Sequence, residues 1–388
     1  MKGNLLIAHG GGPTAVINSS LSGVIREAQW SSAIDRIYAA RWGVEGLLKE
    51  DLLDLTDLTS LDLERLKETP SSAIGTCRYK VKEEDYQRIV DVLRKHRIRF
   101  FFYNGGNDSM DTCLKIARIA GDIQVVGIPK TIDNDLAVTD HCPGFGSAAR
   151  YYALSVLELG LDVCALNIHV SVIEIMGRNA GWLTASTALA REIGKAEAPH
   201  LIYLPERPLD EKRFLSDVKT AWDRRRGIVV AVSEGLVNAE GEPLVKAIHK
   251  TAVDGFGHTL AGNVSHYLAD LISTRLGIRA RSEKPGLLGR VSKALCSEVD
   301  RGEAFEAGRL AVRKAVEGGG GVMVGFRRIA DDPYKVEPLW IDLEEVANRE
   351  KKVPSEFISP AGNDVTEEFL RYCRPLAGGD WPDYFQLD

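Results

Sequence analysis

The chain has 388 residues, of which 44% are hydrophobic and 27% charged, and its net charge is −6. This composition excludes a disordered or fibrous protein, and the acidic balance argues against nucleic acid or a membrane surface as a partner. The six cysteines lie far apart and form no CxxC pair. No apolar run approaches the ~20 residues that span a bilayer. We therefore expect a cytoplasmic protein with reduced thiols.

One pattern recurs along the chain: a strand of apolar residues, then a loop that contains glycine, then a helix. Strands are predicted at residues 5–8, 99–103, 125–128, 170–175, 200–204 and 227–232. A helix is predicted at 83–96, where acidic residues begin and basic residues end the segment. Alternating strands and helices indicate an α/β protein with mainly parallel sheets, in which ligands bind at the carboxyl ends of the strands.

The first two glycine loops can each be interpreted in two ways. Residues 10–14 could bind an anion through backbone N–H groups, or they could form only a tight turn. In residues 105–109, Asn107 and Asp108 could hold Mg²⁺, or Asp108 or Ser109 could cap the next helix. Neither loop has the glycine fingerprint of a dinucleotide enzyme or the lysine of a P-loop NTPase.

The segment 129–135 is the most informative. It follows an apolar strand and places one lysine, two aspartates, an asparagine and a threonine within seven residues. A turn needs only one or two polar residues. A carboxylate can take the proton of an acceptor hydroxyl while the lysine offsets charge on a moving phosphoryl group. The segment therefore predicts phosphoryl transfer.

Gly-Gly-Asn-Asp-Ser at 105–109, Pro-Lys-Thr-Ile-Asp-Asn-Asp at 129–135 and Met-Gly-Arg at 176–178 occur in this order. Together they resemble the phosphofructokinase family, and specifically its pyrophosphate-dependent branch, over residues 4–325. The resemblance implies two three-layer α/β/α domains with mainly parallel sheets and an active site in the cleft between them. It implies a donor domain at 1–145 plus about 291–328 and a sugar-phosphate domain at 146–290. Residues 329–388, less regular and carrying several prolines, are expected to form a C-terminal segment that packs on the body.

The resemblance also implies roles for individual residues. The catalytic base is expected at Asp133, with Asp135 as its companion and with Lys130, Asp108 and Arg78 at the transferring group. Donor-binding positions are Gly11, Gly12, Gly106 and Ser109. Mg²⁺ is expected at Asn107 and Asp108. The positions expected to bind fructose 6-phosphate are Thr131, Ile132, Asp133, Met176, Gly177, Arg178, Glu234, Arg281, Leu287 and Arg290.

Two positions favour pyrophosphate over ATP as the donor. In ATP-using members, as the resemblance implies, glycine occupies the positions of Asp108 and Lys130. The Asp108 carboxylate would repel the α-phosphate of a nucleotide, whereas Lys130 could neutralise the leaving phosphate. The implied reaction is a reversible transfer to the 1-hydroxyl of fructose 6-phosphate, with Asp133 as base forwards and acid in reverse.

Three departures from the family pattern accompany these predictions: Asn107 replaces an aspartate, His169 an arginine, and Gly289 a glutamine. They leave sedoheptulose 7-phosphate open as a second acceptor. The family implies a homodimer or homotetramer. Two alternatives stay open: an ATP-dependent phosphofructokinase that tolerates Asp108, and a catalytically silent subunit that senses sugar phosphates.

Overall fold

The computed structural model describes residues 2–193, 197–245 and 263–385. These residues form two compact units. The first unit contains residues 2–147 and Arg290–Lys351, and the second contains the described residues of 148–289 together with those from Lys352 onward. The stretch 329–388, which the sequence groups as one C-terminal segment, is therefore divided between the units after Lys351.

The described residues contain strands in both units. In chain order they are β1 Gly3–His9, β2 Ile34–Ala40, β3 Leu52–Asp54, β4 Ile98–Gly105, β5 Gln124–Pro129, β6 Val170–Ile175, β7 Leu201–Tyr203, β8 Ile228–Ser233, β9 Ala280–Glu283, β10 Val322–Asp331 and β11 Tyr334–Asp342.

The α-helices follow the same numbering. They are α1 Ile17–Trp30, α2 Gly43–Lys49, α3 Ser60–Glu68, α4 Glu83–Lys95, α5 Asn107–Ala120, α6 Phe145–Ala165, α7 Trp182–Ser186, α8 Ala190–Ile193, α9 Glu211–Arg224, α10 Val264–Leu276, α11 Leu288–Val291, α12 Glu298–Val316, α13 Leu343–Val346 and α14 Glu367–Ala377. Short 3₁₀ turns lie at Thr187–Leu189 and Ser355–Phe357. Among the described helices, none combines the length and apolar character needed to cross a bilayer.

The sheet of the first unit has the strand order β11-β10-β5-β4-β1-β2-β3 within the described residues. Its central strands are parallel, and among the described strands only the edge strands β3 and β11 run antiparallel to their neighbours. The register pairs His9 with Asn104 and Gly105 with Pro129. The loops that follow β1, β4 and β5 therefore leave the sheet side by side.

Both faces of this sheet are buried, which explains its continuous apolar strands. Leu5 and Phe100 face one side, where α1 and α12 pack, and Leu6 and Phe101 face the other, where α4 and α5 pack. All four side chains are 0% exposed. Each such side chain contributes ~1.5–3 kcal/mol through burial. The unit is thus a three-layer α/β/α structure, and the α/β prediction is confirmed.

The second unit has a smaller sheet, with the order β7-β8-β6-β9 in the described residues and parallel pairing throughout. The helices α9 and α10 cover one face, where Phe214 and Leu268 pack against Val172 and Val230. Strand β6 is buried at all six positions. The predicted strands at 170–175, 200–204 and 227–232 are confirmed within a residue or two.

The C-terminal part of the first unit is more regular than the sequence predicts. Strands β10 and β11 form a long antiparallel hairpin, in which Pro338 pairs with Phe326. Proline lacks the N–H that an interior strand needs, but β11 is the outer strand and loses no sheet bond on its open side. Pro333 lies in the turn between the two strands. Two of the prolines that suggested irregular structure, Pro333 and Pro338, therefore mark a turn and an edge strand.

Candidate active site

The loop after β1 is held by its neighbours before it reaches Gly12. The N–H of Gly10 donates to the carbonyl of Asn104 at 2.9 Å, and the N–H of Gly11 donates to the carbonyl of Cys77 at 2.9 Å. Gly11 has φ +75°, a conformation that side-chain-bearing residues rarely adopt. The strand ends thus fix the path of the loop, and glycine is required at position 11.

Three cationic side chains surround Gly12. Lys130 donates from Nζ to the carbonyl of Gly12 at 2.7 Å. A Cβ placed on Gly12 would lie 2.6 Å from Nη1 of Arg290 and 3.6 Å from Nη2 of Arg78. A side chain at position 12 would therefore displace this cluster. Cations gathered around a bare backbone suit a multiply charged anion such as a phosphate.

Lys130 is the buried member of the cluster, with 4% of its surface exposed. Burial lowers the pKa of its ammonium to about 8, and repulsion from Arg290 and Arg78 acts in the same direction. Asp133 and Asp135 partly oppose the shift. A lysine in this state is close to its titration point at neutral pH, and a bound anion would stabilise its charged form.

The second glycine loop leads directly into α5, whose N-cap is Gly106. The N-terminal N–H groups of such a helix favour an anion. Ser109 turns inward: a Cβ on Gly10 or Gly105 would lie 2.3 or 2.0 Å from its Oγ. Its hydroxyl also bonds to the Tyr103 side chain. The Ser109 hydroxyl therefore packs against Gly10 and Gly105, and its predicted contact with the donor stays a prediction.

The segment after β5, residues 130–135, is shaped by its own polar residues. The N–H of Lys130 donates to the carbonyl of Gly105 at 3.1 Å, which joins this segment to the second loop. Thr131 accepts from the N–H of Asp133 at 3.0 Å. Asn134, buried at φ +54°, accepts from the N–H of Cys142 at 3.0 Å. Thr131 and Asn134 thus build a turn that leaves Asp133 only half-buried.

Asn107 and Asp135 are joined by a hydrogen bond, and each also carries an oxygen atom of the kind that a divalent cation binds. The Asn107 amide donates to Oδ2 of Asp135 at 3.2 Å. Oδ1 of each residue is buried without a hydrogen-bond partner among the described residues. Burial raises the pKa of Asp135, and a hydrogen bond from Thr131 opposes the shift. Oxygen ligands of this kind fit Mg²⁺, which takes its remaining ligands from phosphates and water.

The sequence predicted Asn107 and Asp108 as metal ligands and gave Asp135 only a companion role. The orphaned Oδ1 atom makes Asp135 a further candidate ligand. No group of three or more His, Cys, Asp or Glu side chains suited to a metal occurs in the described part of the chain.

In the second unit, the loops after β6 and β8 interlock. Gly177, at φ +116°, donates its N–H to Oε1 of Glu234 at 3.2 Å and accepts from Ser233 Oγ at 2.7 Å. A Cβ on Gly235 would lie 1.6 Å from the carbonyl oxygen of Arg178. Only glycine permits this approach. The predicted sugar-phosphate residues Gly177, Arg178 and Glu234 are therefore brought together.

Glu234 lies in an unusually charged environment. Burial raises its pKa, nearby Glu174 adds to the shift, and Arg178 and Lys284 oppose it. Glu174 is 2% exposed and pairs with Lys284 at 2.5 Å. The pair was not predicted from the sequence, although a glutamate inside an apolar strand was a visible signal. A carboxyl group that is raised in pKa and flanked by cations suits recognition of sugar hydroxyls.

Three further residues are predicted to bind the sugar phosphate: Arg281, Leu287 and Arg290. Arg281 lies exposed on β9 and Leu287 is 61% exposed before α11, both in the second unit. Arg290 lies beside Gly12 in the first unit, and its binding of the same phosphate as Arg281 stays a prediction. His169 is buried, and burial lowers its pKa, so a neutral imidazole is expected at pH 7.

Comparison with known proteins gives the family. The phosphofructokinase family profile, described as "Phosphofructokinase", matches residues 4–314. The chain belongs to the phosphofructokinase family. It is 43% identical to the pyrophosphate–fructose 6-phosphate 1-phosphotransferase of Xanthomonas campestris pv. campestris, over 98% of this chain and 93% of that protein.

Solved structures agree with this assignment. The pyrophosphate-dependent phosphofructokinase of Nitrosospira multiformis is 37% identical, with a TM-score of 0.87 over 98% of this chain and 94% of that one. The enzyme of the same name from Marinobacter aquaeolei is 36% identical, with a TM-score of 0.88 over 100% and 94%. The predicted fold class and the predicted resemblance to the pyrophosphate-dependent branch are confirmed. As a phosphofructokinase, the chain is a phosphotransferase, a class that generally needs a divalent metal.

Proposed function

We propose that this phosphofructokinase transfers a phosphoryl group reversibly from pyrophosphate to the 1-hydroxyl of fructose 6-phosphate. The products are fructose 1,6-bisphosphate and phosphate, as intermediates of glycolysis and gluconeogenesis. The observation that carries the proposal is the buried Lys130 ammonium on the carbonyl of Gly12, with Arg78 and Arg290 on the same glycine. The relatives named for this activity support the same donor.

The residues of the first unit divide the chemistry between them. Asp133 takes the proton from the attacking hydroxyl and returns it in the reverse reaction. Lys130 and Arg78 hold the donor and offset charge on the departing phosphate, with Gly11, Gly12, Gly106 and Ser109 around it. Asp108 disfavours a nucleotide, because two negative charges ~4 Å apart repel by about 4 kcal/mol at an effective dielectric of ~20.

We propose Mg²⁺ as the divalent metal. Its protein ligands are Asn107, Asp108 and Asp135, of which Asn107 and Asp135 carry the orphaned buried oxygens. When bound, Mg²⁺ neutralises charge on the pyrophosphate oxygens. Because Asn107 is neutral, the site carries less negative charge than one with an aspartate there, and we expect the donor to supply more of the binding.

We propose the following contacts with the sugar phosphate. Glu234 receives a sugar hydroxyl, Arg178 and Arg281 bind phosphate oxygens, and Met176, Gly177 and Leu287 line the pocket. Thr131, Ile132 and Arg290 complete the predicted set. Exposed Leu287 leaves sedoheptulose 7-phosphate as a second acceptor to be tested. We further propose a cytoplasmic homodimer or homotetramer, in keeping with the six free thiols of the chain.

A donor comparison tests the proposal directly. Formation of fructose 1,6-bisphosphate is measured with pyrophosphate and, separately, with ATP, each with Mg²⁺ in excess. We expect turnover with pyrophosphate and little or none with ATP. A clear preference for ATP would replace the donor assignment, and no turnover with either donor would favour the silent sugar-phosphate-sensing subunit.

The pKa of Lys130 gives a pH dependence. Its free-enzyme pKa is lowered to about 8, so the cationic fraction falls as the pH rises through that value. The apparent kcat/KM for pyrophosphate reports the free enzyme, and we expect it to fall by about tenfold per pH unit above that point. Arginine stays charged at this pH, so Lys130→Arg should not show the fall in kcat/KM at alkaline pH. If Lys130→Arg shows the same fall, a group other than Lys130 is titrating.

A further inference from the structure

A short stretch after β11, residues 343–351, contacts two segments of the candidate active site; we refer to it as the clamp. It begins with α13, whose Leu343 and Val346 are both 0% exposed and pack in the core cluster that contains Met110 of α5. The start of the clamp is thus anchored in the core of the first unit. It cannot shift without disturbing that packing.

The middle of the clamp is tied to α5. Asn348 adopts φ +59° and donates from Nδ2 to Oδ1 of Asp111 at 3.0 Å. Asp111 lies one turn after Asn107 on α5, so this bond restrains the helical turn that presents Asn107 and Asp108. Asparagine tolerates the left-handed conformation because its side chain is short and polar.

The end of the clamp holds the segment that carries Asp135. The N–H of Lys351 donates to the carbonyl of Asp135 at 2.7 Å. Its ammonium donates to the carbonyls of Thr139 and Asp140 at 3.0 and 2.7 Å. Glu350 adds an antiparallel bridge to Leu136. A desolvated ammonium is costly unless it is hydrogen-bonded, and here its bonds go to the backbone that follows the catalytic turn.

We propose that the clamp is a positioning element of the reaction: it sets the separation of Asn107 and Asp135 by gripping α5 through Asn348 and the catalytic segment through Lys351. That Asn107 and Asp135 bind the metal rests on the proposed function. Asn107 and Asp135 are joined directly by one hydrogen bond of 3.2 Å, which alone would hold them loosely. Asn348 and Lys351 act through these groups as positioning residues.

Two variants test the clamp. Asn348→Gly removes the amide while keeping the left-handed backbone, and Lys351→Met removes the ammonium at similar length. The control is Lys335→Met, at an exposed lysine of β11. We measure kcat, KM for both substrates, the thermal midpoint, and the dissociation constant of Mn²⁺ by water proton relaxation. Mn²⁺ serves as the probe because its binding is read without turnover.

We expect Mn²⁺ affinity to weaken about tenfold in Asn348→Gly and more in Lys351→Met, as for other residues that orient metal ligands. We expect kcat to fall by about 10- to 100-fold with KM for fructose 6-phosphate within about twofold. Lys351→Arg should recover part of the loss. Lys335→Met should match the wild type.

If Asn348→Gly and Lys351→Met both keep the Mn²⁺ affinity and the kcat of the wild type, the proposed positioning role of the clamp is wrong. If Lys351→Met fails to fold, Asn348→Gly decides alone. If the wild type turns over with neither pyrophosphate nor ATP, the proposed function fails. The Mn²⁺ measurement then still tests whether the clamp positions Asn107 and Asp135.

Discussion

Asp133→Asn is expected to lower kcat about 1,000-fold in both reaction directions, with KM for fructose 6-phosphate within about threefold of the wild type. General bases contribute about 10²- to 10⁴-fold, and an amide of the same size cannot accept the proton. The turn should persist, because Thr131 bonds to the backbone N–H of residue 133. The measurement is a coupled assay in each direction, with calorimetric binding of fructose 6-phosphate.

Asp57→Asn is the matched control, since Asp57 is exposed. It should keep wild-type rates in both directions. An Asp133→Asn variant that retains more than about a hundredth of kcat would place the base elsewhere, because general-base removal costs at least about 100-fold. Unequal losses in the two directions would also contradict one shared base and acid.

The second large effect concerns the choice of donor. Lys130→Met is expected to lower kcat/KM for pyrophosphate by about 100- to 1,000-fold, the usual cost of losing one preorganised charge-stabilising donor. Lys130 makes the bond to Gly12 from a nearly fully buried position, so solvent cannot replace it. The double variant Asp108→Gly with Lys130→Gly removes the repelling carboxylate and opens space, and it should gain ATP use.

Both donors are assayed with each variant, and Lys212→Met, at an exposed lysine of α9, is the control. If Lys130→Met uses pyrophosphate as well as the wild type does, Lys130 does not bind the donor as proposed. If the double variant keeps the donor preference of the wild type, Asp108 and Lys130 do not set that preference. If the double variant loses pyrophosphate use but gains no ATP use, the result supports the role of Lys130 and rejects that of Asp108.

Much of the fold could be predicted because its strands are short, apolar and followed by glycine. Residues 98–105 are buried at nearly every position, which is typical of a parallel strand covered on both faces. The helix predicted at 83–96 ends one residue earlier, at Lys95. The local sequence pattern was sufficient to predict strands and helices wherever apolar runs and glycine loops follow each other within a few residues.

The remainder depends on partners distant in sequence. Nothing near Lys351 indicates that it bonds to Asp135, and nothing near Arg290 indicates that it approaches Gly12. The roles of Thr131 and Asn134 in building a turn were also not predicted. A polar residue beside an aspartate that is predicted to be catalytic is more readily interpreted as a substrate-binding residue. The C-terminal hairpin was missed because prolines on an outer strand look like breaks.

The pairing of β5 with β10 has a consequence for synthesis on the ribosome. Strand β5 leads into residues 130–135, but its outer neighbour β10 is encoded almost two hundred codons later. Until that part emerges, β5 is an uncovered edge at which a nascent chain can associate wrongly. The strands of the second unit are all translated in the interval, so its sheet can form first. The sheet of the first unit is thus completed after that of the second, and a product truncated before β10 would carry an open, aggregation-prone strand edge.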